Sequence, residues 1–229
     1  MAALGTLTSG VAHELNNPLS NISSSTQILM EELEENDLDF QRNLLVGIEG
    51  QVEKARDIVK SLLEFARERE FELTTVSLGD LVETTIKLIK GEIPAEVNIE
   101  VDIPYPIQLE ADSRRLSQAV MNLILNGVQA MEGTGGLLVV RAYYSPAGRN
   151  VKIEVSDNGN GIPEENVAKI FDPFFSTKDV GRGTGLGLYV TYGIIQKHQG
   201  EISVSSRPDQ GTTFTIILPL KQTVERHAG

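Results

Sequence analysis

The sequence predicts a two-part fold. Residues 1–70 form an antiparallel helical hairpin that pairs with a second copy into a four-helix bundle, and residues 71–229 form a two-layer α+β sandwich with a mixed sheet. The first part carries apolar side chains at helical spacing and a single proline. In the second part, short runs rich in Val, Ile and Thr mix with helical patterns. Because these runs lack regular βαβ alternation, helices on one face of a mixed sheet are favoured.

The hairpin follows from two apolar stripes separated by a polar break at residues 34–37. Each arm has about 30 residues and a length of about 45 Å. Further apolar residues widen the second stripe beyond what one partner helix covers, so we favour a homodimeric bundle. Packing of the hairpin on the rest of its own chain is the alternative. The stripes comprise Leu4, Leu7, Val11, Leu15, Ile22, Leu29 and Leu33, then Leu44, Ile48, Val52, Ala55, Val59, Leu62 and Ala66.

The second part contains five predicted strands and three predicted helices. The strands cover residues 97–103, 136–144, 151–157, 201–205 and 212–218, and the helices cover 78–90, 113–131 and 187–198. Residues 158–184 show little periodicity and contain Gly and Pro. A loop of this length in a compact domain is usually functional, so we interpret it as a lid.

Composition excludes several classes of protein. The 229 residues include no cysteine, which excludes a disulfide scaffold and Cys-ligated zinc or iron–sulfur sites. Twenty Lys and Arg against 32 Asp and Glu give a net charge of −12, which argues against nucleic-acid or anionic-membrane binding. No apolar run is long enough to span a membrane, and the first residues show no signal-peptide pattern.

The first chemical cluster lies in the first predicted helix. His13 and Asn17 are four residues apart and share a face, while Glu14 lies about 100° around the helix. These groups suit proton or phosphoryl transfer. The following Pro18 has no N–H, so the carbonyl of Glu14 loses its helical partner. A zinc-protease site is excluded because a second His would have to stand at Asn17. A lone surface His beside a solvated Glu is the alternative.

The second cluster places Asn122 and Asn126 one turn apart on an otherwise apolar helix. Asn disfavours helices because its side chain competes for the backbone. Two in register therefore suggest a use, and amide oxygens can ligate Mg²⁺ while phosphates and water complete the coordination. Local hydrogen bonding to the backbone is the alternative.

The third cluster begins with Asp157 at the end of a predicted strand, followed by Gly159 and Gly161. A carboxylate there could accept a hydrogen bond from an exocyclic amine while the glycines let the backbone approach a ring. An ordinary turn is the alternative.

The fourth cluster is a glycine-rich run that leads into the last predicted helix. Gly183, Gly185 and Gly187 alternate before its N-terminus, which favours an anion site. The spacing matches neither a Walker loop nor a dinucleotide loop, and a loop without ligand is the alternative. Three phenylalanines precede it, at 171, 174 and 175, and could hold the lid. Lys178 could reach a terminal phosphate.

In this order, the four clusters and the Phe-rich run resemble the transmitter core of the sensor histidine kinases of two-component signalling, over residues 1 to about 220. The sequence His-Glu-Leu-Asn-Asn-Pro-Leu, from His13, is most similar to the nitrogen-regulatory type. The resemblance implies a dimerisation and histidine phosphotransfer hairpin at 1–70. It also implies a catalytic ATP-binding domain at 71–229, of the fold shared with gyrase, mismatch-repair and heat-shock chaperone ATPases.

The resemblance also implies roles for individual residues. His13 is similar to the phosphoacceptor, Glu14 to its base and Asn17 to the residue that orients water for dephosphorylation of the partner. Asn126 resembles the Mg²⁺ ligand and Asp157 the adenine reader. Gly127 departs from the usual Ala and costs the helix up to about 1 kcal/mol. Other residues implied to bind ATP are Asn122, Gly159, Gly161, Phe171, Lys178, Gly183, Thr184, Gly185, Leu186 and Gly187; His198 and His227 match no catalytic position.

The family further implies a homodimer that autophosphorylates from Mg-ATP and passes the phosphoryl group to an aspartate of a response regulator, which it can also dephosphorylate. Because such kinases usually carry sensor segments upstream, we expect a cytoplasmic fragment, attached to a membrane only through segments outside this chain. Two rival classes are an ATPase that moves clamps or phosphorylates serine, and a scaffold without catalysis. The first would not need the histidine cluster, and the second should have lost one of the motifs.

Overall fold

The computed structural model describes residues 2–31, 37–66, 70–104, 106–146, 148–177 and 185–222, with backbone only for residues 2–14, 57 and 60–66. The chain divides into two compact units, one of residues 1–69 with 172–187 and one of residues 70–171 with 188–229. Among the described residues, no helix has both the length and the apolar character that crossing a bilayer requires.

The predicted helical hairpin is confirmed. Helix α1 spans Ala2–Glu31 and helix α2 spans Leu38–Ala66, and the two pack against each other. The polar break ends at Asp37, whose carboxylate accepts a hydrogen bond from the N–H of Phe40 at 3.0 Å. Such a contact satisfies a free donor in the first turn of α2 and fixes where that helix begins.

The predicted mixed sheet is also confirmed. Its five strands are arranged in the order β2-β4-β5-β7-β6, with β2 parallel to β4 and the other neighbours antiparallel. A separate two-stranded antiparallel sheet pairs β1 with β3. The strands are β1 Thr74–Ser77, β2 Val97–Asp102, β3 Gln108–Ala111, β4 Gly136–Tyr144, β5 Asn150–Asp157, β6 Glu201–Ser206 and β7 Thr212–Pro219.

Helices accompany this sheet in the order α3 Leu78–Leu88, α4 Ser113–Ala130, α5 Glu164–Val167 and α6 Gly187–Lys197, with a short 3₁₀ turn at Lys90–Glu92. Helix α4 packs on β4 and β5 and against α3. The core follows the strand period of two, since alternate residues of the central strands are buried while their neighbours are partly exposed. The buried set on β5 and β7 is Val151, Ile153, Val155, Thr212, Phe214, Ile216 and Leu218.

Four short elements of the described chain were not predicted: strands β1 and β3, the single turn α5 and the 3₁₀ turn. Each has only three or four residues, too few to show a period. Strand β3 is fixed by distant sequence, because the N–H of Glu110 donates to the carbonyl of Leu220 at 2.9 Å. Of the predicted lid at 158–184, residues 178–184 lie outside the described part of the chain.

Candidate functional site

Strand β5 ends in a half-buried carboxylate with unequal oxygens. Oδ1 of Asp157 accepts hydrogen bonds from the N–H groups of Gly159 at 2.9 Å and Thr212 at 3.2 Å. Oδ2 accepts none from any residue that the structure describes. Burial raises the pKa of Asp157 above its ordinary value, although the bonds from Gly159 and Thr212 oppose that shift. The arrangement therefore presents one fixed, partly desolvated acceptor to a ligand donor such as an amine.

The turn after Asp157 is held from two sides. The N–H of Asn160 donates to the carbonyl of Ala130 at the end of α4, and the N–H of Ile162 donates to Oγ of Ser206 at 2.8 Å. Gly161 has φ +69°, and any Cβ there would collide with the carbonyl of Arg207. Both glycines of this cluster thus stand where the backbone passes close to its neighbours, since Gly159 is itself buried.

Helix α4 brings the Asn cluster to the same region. Asn126 is half-buried, and the next residue, Gly127, faces β4 and β5: a Cβ there would lie 2.6 Å from Cδ1 of Leu138 and 3.3 Å from Cβ of Asp157. One turn earlier, Nδ2 of Asn122 donates to Oγ1 of Thr191 at 3.3 Å, which links α4 to α6. The structure therefore joins the second and third clusters in one place.

The glycine-rich run is described from Gly185 onward. The N–H of Phe174 donates to the carbonyl of Gly185 at 3.0 Å, and both residues have positive φ. A Cβ on Gly185 would collide with the backbone of Phe174, so only glycine fits this close approach. Leu186 is buried, and Gly187 is the first residue of α6, where the helix dipole favours an anion.

The remaining predicted binding residues divide into two groups. The ring of Phe171 lies 5.7 Å from that of Tyr192 and 6.5 Å from that of Phe214, centroid to centroid, a packing contact that fits its interpretation as a hydrophobic support. Lys178, Gly183 and Thr184 lie outside the described residues.

The histidine cluster lies within α1, which continues through Pro18. The side chains of His13 and Glu14 lie outside the described part of the chain, whereas Asn17 is exposed and Pro18 is buried. Because Asn17 is one turn after His13, the two positions share one face of the helix.

Sequence reasoning missed two residues that build the pocket around Asp157. The backbone N–H of Thr212 donates a hydrogen bond to the carboxylate of Asp157. The hydroxyl of Ser206 accepts a hydrogen bond from the N–H of Ile162 and lies 2.9 Å from Oγ1 of Thr212. Both belong to the β6–β7 hairpin, far along the chain from Asp157. The sequence feature that could have pointed to Thr212 is Gly211-Thr212, which stands at the start of a strand that pairs with β5.

The oxygen donors of this region suit a hard cation that takes most of its ligands from a bound phosphate and from water. Within the described residues, no three His, Cys, Asp or Glu side chains come together as a metal site. Asn122 and Asn126 are half-buried on α4, and Gly127, the residue after Asn126, is the position of α4 that approaches Asp157. Mg²⁺ commonly takes one or two protein oxygens and fills its other positions with phosphate and water, so this chemistry fits.

Comparison with known proteins gives two family matches on this one chain. Residues 3–71 match the His Kinase A (phospho-acceptor) domain. Residues 111–222 match the histidine kinase-, DNA gyrase B- and HSP90-like ATPases.

Individual relatives agree with both matches. The signal transduction histidine-protein kinase AtoS of Escherichia coli K12 is 39% identical over 222 residues, which cover 96% of this chain and 35% of AtoS. The sensor histidine kinase ZraS of the same strain is 35% identical over 97% of this chain and 47% of ZraS. The chain thus spans at most about half the length of these relatives.

Solved structures support the same fold. The catalytic domain of histidine kinase ThkA is 30% identical with a TM-score of 0.58, and the match covers 66% of this chain and 99% of that domain. ThkA in complex with the response regulator protein TrrA matches 96% of this chain and 62% of the ThkA chain at 27% identity, with a TM-score of 0.75.

Proposed function

The chain belongs to the sensor histidine kinases and carries their transmitter core, and from this premise we propose that it phosphorylates His13 from Mg-ATP and passes the phosphoryl group to an aspartate of a response regulator. The observation that carries the proposal is the presence, on one chain, of a phospho-acceptor domain containing His13 and an ATPase domain containing the Asp157 pocket. A scaffold or a clamp-moving ATPase explains only one of these.

The domain boundaries proposed are those expected from sequence: a dimerisation and phosphotransfer hairpin at 1–70 and a catalytic ATP-binding domain at 71–229. ATP binding follows from membership of the ATPase family. For adenine recognition we assign Asp157, whose Oδ2 is the acceptor left for the exocyclic amine. Gly159 and Gly161 shape the pocket, and Gly185, Leu186 and Gly187 lie where phosphates would meet the start of α6. The proposed set of ATP-binding residues is completed by Phe171, Lys178, Gly183, Thr184 and Asn122.

In the proposed first step, a nitrogen of neutral His13 attacks the γ-phosphorus of ATP. A nitrogen–phosphorus bond forms, the bond from the bridging oxygen to the γ-phosphorus breaks, and ADP leaves with the electron pair. Glu14 accepts the proton from the other ring nitrogen. Because such transition states are loose, the protein contributes mainly positioning and charge neutralisation.

Asn126 is the proposed Mg²⁺ ligand, with Asn122 beside it on the same face of α4. When bound, the cation supplies neutralisation of phosphate charge. The chain needs such help because its own net charge is −12, which repels a polyphosphate.

The second step passes the phosphoryl group from His13 to an aspartate of a receiver protein. Support comes from ThkA, a similar kinase whose structure was determined in complex with the response regulator protein TrrA. Asn17, exposed one turn from His13, would face the same docked receiver and orient the water that removes its phosphate. Both reactions use ATP or its products, so we propose a cytoplasmic location.

A homodimer is proposed from the surface of α2. Leu38, Leu45, Val52 and Val59 recur every seven residues and are 74%, 56%, 41% and 42% exposed. A seven-residue apolar repeat is the pattern by which helices pair along a seam. A second copy of the hairpin would cover this seam and complete a four-helix bundle.

The test is labelling of the full chain with γ-labelled ATP. Wild type should acquire label that is lost in acid and kept in base, as expected for a phosphohistidine. His13→Gln should abolish that label and leave ATP binding unchanged, while the matched control His227→Gln should label as wild type does. Labelling that persists in His13→Gln would move the acceptor elsewhere.

A further inference from the structure

A buried histidine at the end of α6 is not used by the proposed chemistry. The side chain of His198 has no exposed surface. Its Nε2 accepts a hydrogen bond from the N–H of Asp112 at 3.0 Å, and its Nδ1 lies 2.8 Å from the carbonyl of Ile194. Because Nε2 accepts, Nδ1 carries the proton and the ring is neutral. Burial also lowers the pKa of His198, which agrees with this state.

The segment that follows the hairpin rests on this histidine. The ring of Phe71 lies edge-on to that of His198, with centroids 4.7 Å apart, and the guanidinium of Arg115 lies 6.0 Å from the Phe71 centroid. The N–H of Glu72 lies 3.4 Å from Oδ2 of Asp112. We call Phe71, Asp112, Arg115 and His198 the linker anchor.

Asp112 holds the linker anchor together. Its Oδ1 accepts the N–H of Arg115 at 3.0 Å and so caps helix α4, while its Oδ2 pairs with Nε of Arg115 at 3.3 Å. The side chains of Arg115 and Asp112 are 21% and 12% exposed, so this pair is less screened than an ordinary surface ion pair. The linker anchor is therefore a packed, hydrogen-bonded cluster.

The two helices that meet at the linker anchor also carry the nucleotide motifs. Helix α4 starts after Asp112 and continues to Asn122 and Asn126, and helix α6 starts at Gly187 and ends just before His198. A second tie joins them further along, from Asn122 to Thr191 at 3.3 Å. The helices thus run in opposite directions, and the 11 residues of α6 span about 16 Å from the glycine-rich run to the linker anchor.

From this arrangement, and resting on the proposed function, we propose that the linker anchor holds residues 71 and 72, which follow the hairpin, against helices α4 and α6. ATP bound by these helices then meets His13 in a geometry that allows phosphoryl transfer. Phe71, Asp112, Arg115 and His198 are positioning residues. They would act through residues 71 and 72, which lie at the opposite end of α6 from the glycine-rich run. Loosening the linker anchor should therefore slow transfer while ATP still binds.

The experiment compares Phe71→Ala with wild type in the full chain, because Phe71 is only half-buried and its removal leaves the hydrogen bonds of His198 intact. We expect the rate constant of autophosphorylation at saturating Mg-ATP to fall about 10- to 100-fold, as for misplacement remote from the chemistry. The Kd for ATP should stay within about twofold. Phe71→Tyr keeps the ring and should restore most of the rate.

Two further variants complete the test. Arg115→Gln, which removes the guanidinium from both Phe71 and Asp112, should lower the rate in the same direction. Tyr144→Ala removes an exposed aromatic ring of the same unit, away from the linker anchor, and should transfer at the wild-type rate. Thermal unfolding should show that all variants are folded.

The outcomes separate the two proposals. Wild-type rates in Phe71→Ala and Arg115→Gln would overturn the positioning role and leave the proposed function standing. A rate that falls only in proportion to ATP affinity would also overturn it, because the linker anchor would then merely support the nucleotide site. A wild type that never labels would overturn the proposed function and this inference together.

Discussion

The helical hairpin and the α+β unit bury their apolar side chains by different means. In β7, Phe214, Ile216 and Leu218 are 4%, 0% and 1% exposed, and the neighbouring strand β5 packs against α4. In α2, every seventh residue of the seam from Leu38 to Val59 is apolar and exposed.

The described α+β unit has a buried core of its own. In the hairpin, α1 and α2 pack against each other, and the apolar seam on α2 remains exposed, a surface that the proposed homodimer would cover. We therefore expect hairpin variants to change transfer or assembly and variants at the proposed nucleotide site to change ATP binding, whereas linker-anchor variants of the α+β unit should change transfer alone.

After loss of the acceptor His13 itself, the largest effect is expected at Glu14. Glu14→Ala removes the proposed proton acceptor, and general-base assistance is typically worth about 10²–10⁴-fold, so autophosphorylation should slow on that scale. Initial rates of labelling at saturating ATP measure it, with ATP affinity as the control. An unchanged rate would show that solvent takes the proton.

Asn17→Ala is the matched partner to that variant, one turn of helix from His13. An amide cannot accept the proton but can orient water, so autophosphorylation should be retained and most dephosphorylation of a purified phospho-receiver lost. If Asn17→Ala dephosphorylates as well as wild type, Asn17 has no part in that reaction.

The seam on α2 should be the next most sensitive feature. Leu45→Glu places an unpaired charge where the second copy would pack, and burying such a charge is costly enough to raise the dimer dissociation constant about 100-fold or more. Sedimentation across a concentration series measures this. Val46→Glu is the control, because Val46 is 60% exposed but lies off the seven-residue repeat. Equal behaviour of the two variants would refute the seam.

Asp157→Asn should weaken ATP binding about 10- to 150-fold, because it removes a charged hydrogen bond worth about 1.5–3 kcal/mol. Isothermal titration of ATP into the nucleotide-free protein measures the loss. Autophosphorylation at saturating ATP should change less, which would separate this variant from Glu14→Ala. Wild-type affinity in Asp157→Asn would refute Asp157 as the adenine reader.

The same substitution should not destabilise the protein without nucleotide. Burial raises the pKa of Asp157, so this carboxyl favours folding below its ordinary pKa of 3.8 and loses that contribution as pH rises through the raised value. Above that raised pKa the folded protein therefore holds an ionised group that burial disfavours. Asn keeps the Oδ1 acceptor without the charge, so thermal unfolding at pH 7 should occur at the same temperature or higher.

Sequence reasoning predicted the long elements and missed those set by distant contacts. Helix α4 and strand β5 have strong periods, so their positions within a residue or two follow from local pattern. Strand β1 forms because Thr74–Ser77 pairs with β3, and a segment of four residues carries no local sequence signal of that pairing.

The candidate site divides in the same way. Asp157 stood out because it ends a strand and precedes two glycines, whereas Thr212 donates to it from 55 positions further along the chain. His198 matched no catalytic position in the sequence, and its full burial fits a structural role, but its contact with Phe71 depends on the tertiary fold. Local spacing in the sequence therefore identifies candidate functional residues such as Asp157, whereas the residues that fix their side chains are set by tertiary contacts between distant segments.

Gly127 gives the smallest expected effect, and the structure changes its interpretation. From sequence it was a loose point in α4; in the fold it lets the helix approach Asp157 closely. In Gly127→Ala the helix gains about 1 kcal/mol of propensity, offset by overpacking of about 1–3 kcal/mol as the new methyl displaces Cδ1 of Leu138.

Because the methyl would also lie 3.3 Å from Cβ of Asp157, we expect ATP affinity to fall about threefold, which is under 1 kcal/mol. The control is Gly193→Ala in α6, where a Cβ meets no atom of another described element within 4 Å. It should raise the unfolding temperature through helix propensity and leave ATP binding unchanged. Titration of both variants with ATP separates the two effects. Equal ATP affinities in Gly127→Ala and Gly193→Ala would show that an alanine at position 127 does not disturb the proposed adenine site.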